Sequence, residues 1–484
     1  MEAPQNFQEK RWLALILLCS AQFVVVLDAS IVNVALPTIG KALDFSQENL
    51  PWVVNAYVLT FGGFLLLGGR TADLVGRRKV FMAGLLLVAV ASLAAGFAAT
   101  EGQLIAARAA QGLGAAIISP AALSIVTTTF SDGAERNKAL GVWGAVAGSG
   151  GAAGVLLGGI LTDGLGWEWV LWVNVPVSLI AFALSPRLLA ETRMEGEKRV
   201  FDVAGAVTVT AGLSVLVYAL VDANNAGWGS TQTIGLIALS ALLLAAFVAI
   251  ELRTAKPLVP FSIFRIRTLT GANVVGLLVG ASLFSMFFFI SLYMQQVLGY
   301  SAIHAGLSYL PLALVIMASA GIASQAVTKL GYKPVLAAGL LFIVIGLAWF
   351  SRVSVGGSFL TDILGPSLFA AAGLGFAFVT TTIAAVSGVE ENEAGLASGL
   401  INTSQQIGGA LGLAVLSAVA ISATSDAASS GSDQAAALTD GFQAAFLGGS
   451  LIALLGFVLT LVLIRGSDSR AHVELGSEAA TEST

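Results

Sequence analysis

A helix of about 20 apolar residues crosses a hydrocarbon core about 30 Å thick, and this chain of 484 residues holds fourteen runs of that kind. They lie near 12–37, 50–69, 80–100, 103–129, 139–162, 169–189, 203–222, 231–251, 269–298, 306–328, 334–351, 361–386, 395–422 and 442–465. Backbone polar groups find no water in lipid, so such runs satisfy themselves as helices. Charged residues make up 11% of the chain, against roughly a quarter in a soluble domain, and they cluster between the runs. The reading is an all-α polytopic membrane protein. Lys10 and Arg11 before the first run imitate a signal peptide, but that run is too long and leads into thirteen more, so no cleavage is expected.

Loop charge then orients the chain. With the N-terminus inside, only Lys41 and Arg352 of the 23 Lys and Arg fall in outside segments, and only Arg108 lies well inside a span. Moving one helix would scramble this alternation, so both termini are expected to be cytoplasmic and the chain to sit in the cell membrane. The expected organisation is a cytoplasmic segment 1–11, a six-helix bundle over 12–190, two inserted helices over 202–252, a second six-helix bundle over 268–465, and a disordered acidic tail over 466–484. The polar stretch 422–441 reads as a flexible external loop. The single cysteine, Cys19, cannot form an intramolecular disulfide, and His304 and His472 lack metal-ligand company, so no cofactor or metal is expected.

A repeat underlies the pattern. In "LVGRRKVFMAGLL" (74–86) and "KLGYKPVLAAGLL" (329–341), Gly76, Val80 and Gly84 return as Gly331, Val335 and Gly339, at an offset of 255. In "ALGVWGAVAGSGGAAG" (139–154) and "ASGLINTSQQIGGALG" (397–412), Gly141, Gly150 and Gly154 return as Gly399, Gly408 and Gly412, at an offset of 258. Both matches shift the helix count by eight, so a six-helix unit occurs twice with two helices between. Parallel repeats of this kind build many secondary transporters.

Four stretches carry a family resemblance: "LDASIVNVALP" (27–37), "GRTADLVGRRK" (69–79), "LIAARAAQGLGAA" (104–116) and "GAVAGSGGAAGVLLGG" (144–159). On these the chain resembles the major facilitator superfamily, specifically its fourteen-helix drug–proton antiporter branch, from about Lys10 to Arg465. The resemblance implies a secondary transporter rather than an enzyme, with two six-helix bundles plus two inserted helices.

Asp28 and Arg108 are the two charges deep in the apolar runs. At a rise of about 1.5 Å per residue they lie about 13 Å and about 8 Å below the outer ends of the first and fourth spans. Buried charges find one another or face water, and a carboxylate whose distance to an arginine changes with conformation can take up and release a proton. A permanent structural pair is the competing reading. The resemblance implies that spans 1 and 4 line a central cavity. It also implies that Gly69, Asp73, Gly76, Arg77 and Arg78, placed at a cytoplasmic loop, latch the two bundles when the transporter opens outward. Lys79 fits the positive-inside rule alone. The glycines Gly150, Gly154, Gly158 and Gly159 of span 5 would bend it or let the two halves pack closely. Here the family has proline after the glycine where this chain has Val155, so no proline kink is expected. Gln405 and Glu168 stand where many relatives carry arginine.

Candidate substrate contacts are Asn33, Asn55 and Tyr57, with Phe288, Tyr293 and Gln296 from span 9 and Gln405 from span 13. Apolar surface with a few hydrogen-bonding groups suits amphipathic organic molecules. The expected partners are such a small molecule, protons and the lipid bilayer, with no nucleic acid, and the chain is expected to act as a monomer. The alternatives are proton-coupled export or uptake of a metabolite, a non-transporting membrane sensor, and a membrane-embedded enzyme. The enzyme reading lacks any catalytic constellation.

Overall fold

The computed structural model describes residues 10–45, 50, 52–130, 133–192, 202–254, 257–390, 393–466 and 469. Residues 1–9, the tail from 470 with His472 and Arg470, and the loop cations Arg193, Lys198, Arg199 and Lys256 lie outside them. Each apolar run forms a helix, and among the described residues there is no strand. In chain order they are α1 (Arg11–Ala42), α2 (Trp52–Val75), α3 (Arg77–Gly96), α4 (Glu101–Thr129), α5 (Ala134–Gly164), α6 (Asn174–Leu188), α7 (Val203–Ala226) and α8 (Thr231–Glu251). Then come α9 (Arg267–Leu292), α10 (Leu310–Leu330), α11 (Tyr332–Phe350), α12 (Gly365–Val386), α13 (Ala394–Ser429) and α14 (Gln434–Leu463). Side chains close the free N–H groups at several starts: Thr100 for α4, Asp202 for α7, Ser230 for α8 and Asp433 for α14.

α1 to α6 pack as one bundle and α9 to α14 as another; α7 and α8 pair beside them. The bundles meet along two seams, α2 against α13 and α5 against α10. α7 covers the first seam. Its Ser214 and Val217 meet Gly63 and Gly62 of α2, and its Val209 and Leu213 share an apolar cluster with Leu66, Leu396 and Leu400.

The repeat is visible as geometry. Gly76 and Gly331 both break their helix pairs with positive φ, 126° and 80°, a conformation that favours glycine. In the first bundle Gly150 and Gly154 lie against α1 at Val26 and Ser30. In the second, their counterparts Gly408 and Gly412 lie against α9 at Leu277 and Ala281.

Two expectations need correction. The stretch 422–441 is not a flexible loop. α13 runs to Ser429 and α14 starts at Gln434, because alanines continue both helices to a short turn at 430–433. Asp73 does not sit in a loop, since α2 extends six residues beyond Gly69 and leaves only Gly76 as the linker. In α5, whose glycines were expected to bend it or let it pack closely, the axis bends by 42° between Ala134–Gly151 and Ala153–Gly164 without a proline.

Candidate functional site

α1, α2, α4 and α6 converge on one buried carboxylate. Asp28 and Arg108 are 2% and 0% exposed, and Arg108 Nη1 donates to Asp28 Oδ2 at 2.6 Å. Neither charge meets water, so its stabilisation must come from partners. Asp28 Oδ1 accepts from Asn174 Nδ2 at 2.6 Å and from Gln111 Nε2 at 3.2 Å. Arg108 spreads its donors further, from Nε to the Val53 carbonyl at 2.9 Å and from Nη1 to Gln111 Oε1 at 3.0 Å. Its guanidinium carbon stands 4.5 Å from the ring centre of Tyr57, a cation–π distance. Tyr57 in turn donates to the Val25 carbonyl at 2.8 Å, and Gln111 to Ser92 Oγ at 2.8 Å. Chemically this is one acid held among three neutral or cationic donors, with no second acid beside it among the described residues.

A second charged constellation lies at the far end of α2. Asp73, fully buried, accepts from Arg77 Nε and Nη2 at 3.2 and 3.0 Å. It also accepts from the backbone N–H groups of Gly395 and Leu396 at 3.2 and 3.0 Å. Those two belong to the first turn of α13, where N–H groups have no helical partner and the dipole favours an anion. One carboxylate therefore joins the two bundles. Gly69 crosses α13 at Gly395 and Gly399 so closely that a side chain would strike backbone. The segment after α6 clasps the other side. Arg78 donates to the Leu189 carbonyl at 3.0 Å, Arg77 N–H to Thr192 O at 3.0 Å, and the Glu191 carboxylate lies where Gly76 would carry a Cβ.

The α5 glycines serve both bundles. Gly150, Gly154 and Gly158 face α1, whereas Gly159 meets Ile303, and Gly141 and Gly144 meet Ser324 and Val379, all of the second bundle. The substrate candidates do not form one cluster. Tyr57 belongs to the Asp28 network. Asn33, Phe288 and Gln296 are exposed, and Asn55 is half-buried. Tyr293 is buried and donates to Ser354 O at 2.7 Å. Gln405 is buried in α13, its Nε2 without a hydrogen-bond partner among the described residues. Asn174, Ser92 and the Val53 carbonyl were not among the residues singled out from sequence. The one available signal was an amide in the apolar "WVNVP".

Comparison with known proteins places this geometry. Residues 18–413 match the family described as Major Facilitator Superfamily. The chain is 38% identical to the puromycin resistance protein pur8 of Streptomyces alboniger, over 99% of this chain and 96% of that one. It is 41% identical to the cephamycin export protein CmcT of Amycolatopsis lactamdurans, over 93% and 92% of the two chains. In fold it is similar to the crystal structure of the human organic anion transporter MFSD10 (TETRAN), with a TM-score of 0.65 and 16% identity over 95% of this chain and all of that one.

Proposed function

The chain belongs to the major facilitator superfamily, and from that premise we propose that it exports hydrophobic or amphipathic compounds, antibiotics foremost, in exchange for protons. The observation that carries the proposal is the buried Asp28–Arg108 contact at 2.6 Å. A carboxylate accepts from Arg108, Gln111 and Asn174 at once. A protonated carboxyl loses its attraction to Arg108 and turns one oxygen into a donor. Proton arrival thus weakens the contact that fastens α1 to α4.

α2 links this event to the latch. Val53 at one end accepts from Arg108, and Asp73 at the other holds the first turn of α13. A shift of α2 as a rigid rod relates proton occupancy to the parting of the bundles, which is alternating access. In the proposed orientation the latch and both termini are cytoplasmic, the membrane is the plasma membrane, and one chain suffices because it holds both bundles. A potential of 100 mV supplies about 2.3 kcal/mol per charge moved. The relatives' names, resistance to puromycin and export of cephamycin, support an antibiotic as cargo.

The test uses inside-out vesicles with an acidified lumen, a pH-sensitive dye, and puromycin, a cephamycin and amphipathic cations as probes. Substrate-evoked proton release is expected from the wild type and not from Asp28→Asn at equal membrane level. Release that survives Asp28→Asn makes the pair structural and rejects the coupling.

A further inference from the structure

The contacts that join the bundles obey the repeat. Asp73 of α2 corresponds to Thr328 of α10 at the offset of 255, and Gly395 of α13 to Asn137 of α5 at the offset of 258. Asp73 accepts from the Gly395 N–H. At the other seam, Thr328 Oγ1 accepts from Asn137 Nδ2 at 3.0 Å. The flanking positions correspond too. Gly69 crosses Gly399, and their counterparts Ser324 and Gly141 cross so tightly that a Cβ on Gly141 would lie 2.6 Å from that of Ser324. The outer clasp has a counterpart shifted by one residue. Arg77 N–H donates to Thr192 O after α6, and Lys333 N–H, one residue past the counterpart of Arg77, donates to Ser469 Oγ after α14.

We propose that Asn137 and Thr328 form a second interbundle clasp, acting with Asp73 to hold this end of the molecule shut. The two clasps do the same mechanical work with different chemistry. In the first, an acid is held by an arginine and a helix start. In the second, the counterpart of Asp73 is a hydroxyl and that of Arg77 is Tyr332, so both joined groups are neutral. Thr328 Oγ1 spends its own proton on the Ser324 carbonyl at 3.1 Å, which turns a lone pair towards Asn137. Asn137 is 1% exposed, so its donation is shielded from competing water. Closure therefore needs a contact at each seam. Asn137 and Thr328 are positioning residues for the conformational cycle.

This rests on the alternating-access reading, and the test needs no substrate, so a failed transport assay leaves it standing. Spin labels are placed on full-length protein in a Cys19→Ser background, one pair at Ala134 and Lys329 and a second at Lys79 and Glu390, all exposed. Distances are then compared for wild type, Thr328→Val and Thr328→Ser in lipid nanodiscs. Loss of one neutral hydrogen bond is expected to raise the open-to-closed ratio about five-fold. Both pairs should lengthen together in Thr328→Val, and Thr328→Ser should match the wild type. Unchanged distances in Thr328→Val overturn the proposal. So does equal opening in Thr328→Ser, which would assign the effect to shape, or movement confined to the Ala134–Lys329 pair, which would make it local. If Thr328→Val does not fold, Asn137→Ala makes the same comparison from the other side.

Discussion

Arg108 meets a carboxylate, an amide oxygen, a backbone carbonyl and an aromatic face, each from a different direction. Only a planar guanidinium has donors and a flat surface for all four. Arg108→Lys keeps the charge but reaches one or two of them, so substrate-evoked proton release is expected to fall at least about ten-fold. Wild-type release from the lysine variant would reduce Arg108 to a counter-charge. Asn174→Leu removes a charged hydrogen bond from Asp28, and thermal unfolding in detergent should report a loss of about 1.5–3 kcal/mol. The same pair of residues marks how far the site was legible. A charge inside an apolar run announces itself through the cost of burying it, and Asp28 and Arg108 were found that way. Asn174 and the Val53 carbonyl carry no such signal. An amide is unremarkable in a membrane helix, and every residue has a carbonyl. Their part is set by how α6 and α2 lean on α1, which is a matter of packing.

α5 shows what glycine does at the scale of a helix. A Cβ on Gly158 would stand 2.6 Å from the Ile31 carbonyl, whereas one on Gly151 would meet nothing within 4 Å. Gly158→Val should therefore destabilise by about 1–3 kcal/mol through overpacking, and Gly151→Ala should leave the melting temperature where it is. Equal effects would mean that glycine's flexibility, not its size, is what α5 needs. Helix existence and order were readable because each run had to be about 20 residues long to cross the bilayer. Helix ends were not. The last two turns of α2 contain Arg70 and Asp73, which hydropathy counts against a span, yet partners there satisfy both: Pro257 O for Arg70, and Arg77 with the start of α13 for Asp73. The alanine-rich outer ends of α13 and α14 misled in the opposite way, since polar residues among alanines can continue a helix.

For the whole molecule, the consequential arrangement is that two bundles touch at two seams and are fastened at one end. Asp73→Ala removes the acceptor for both Gly395 and Leu396 and should shift the population towards opening at that end. Ser398, fully buried on the α13 face that also carries Gly395 and Asn402, reports it. With Ser398→Cys in a Cys19→Ser background, a water-soluble thiol reagent should label the Asp73→Ala protein several-fold faster than its parent. Equal labelling would show that the carboxylate does not hold the bundles. The repeat returns in matching glycine contacts of the two bundles, but the seams between them differ, since α7 packs on the first.

That last difference shows at the surface of the molecule. α7 lies along the α2–α13 seam, whereas α5 and α10 leave Val142, Ile160, Leu314 and Ile322 exposed. The two flanks of a near-twofold molecule are therefore unlike, one seam lying behind α7 and the other not.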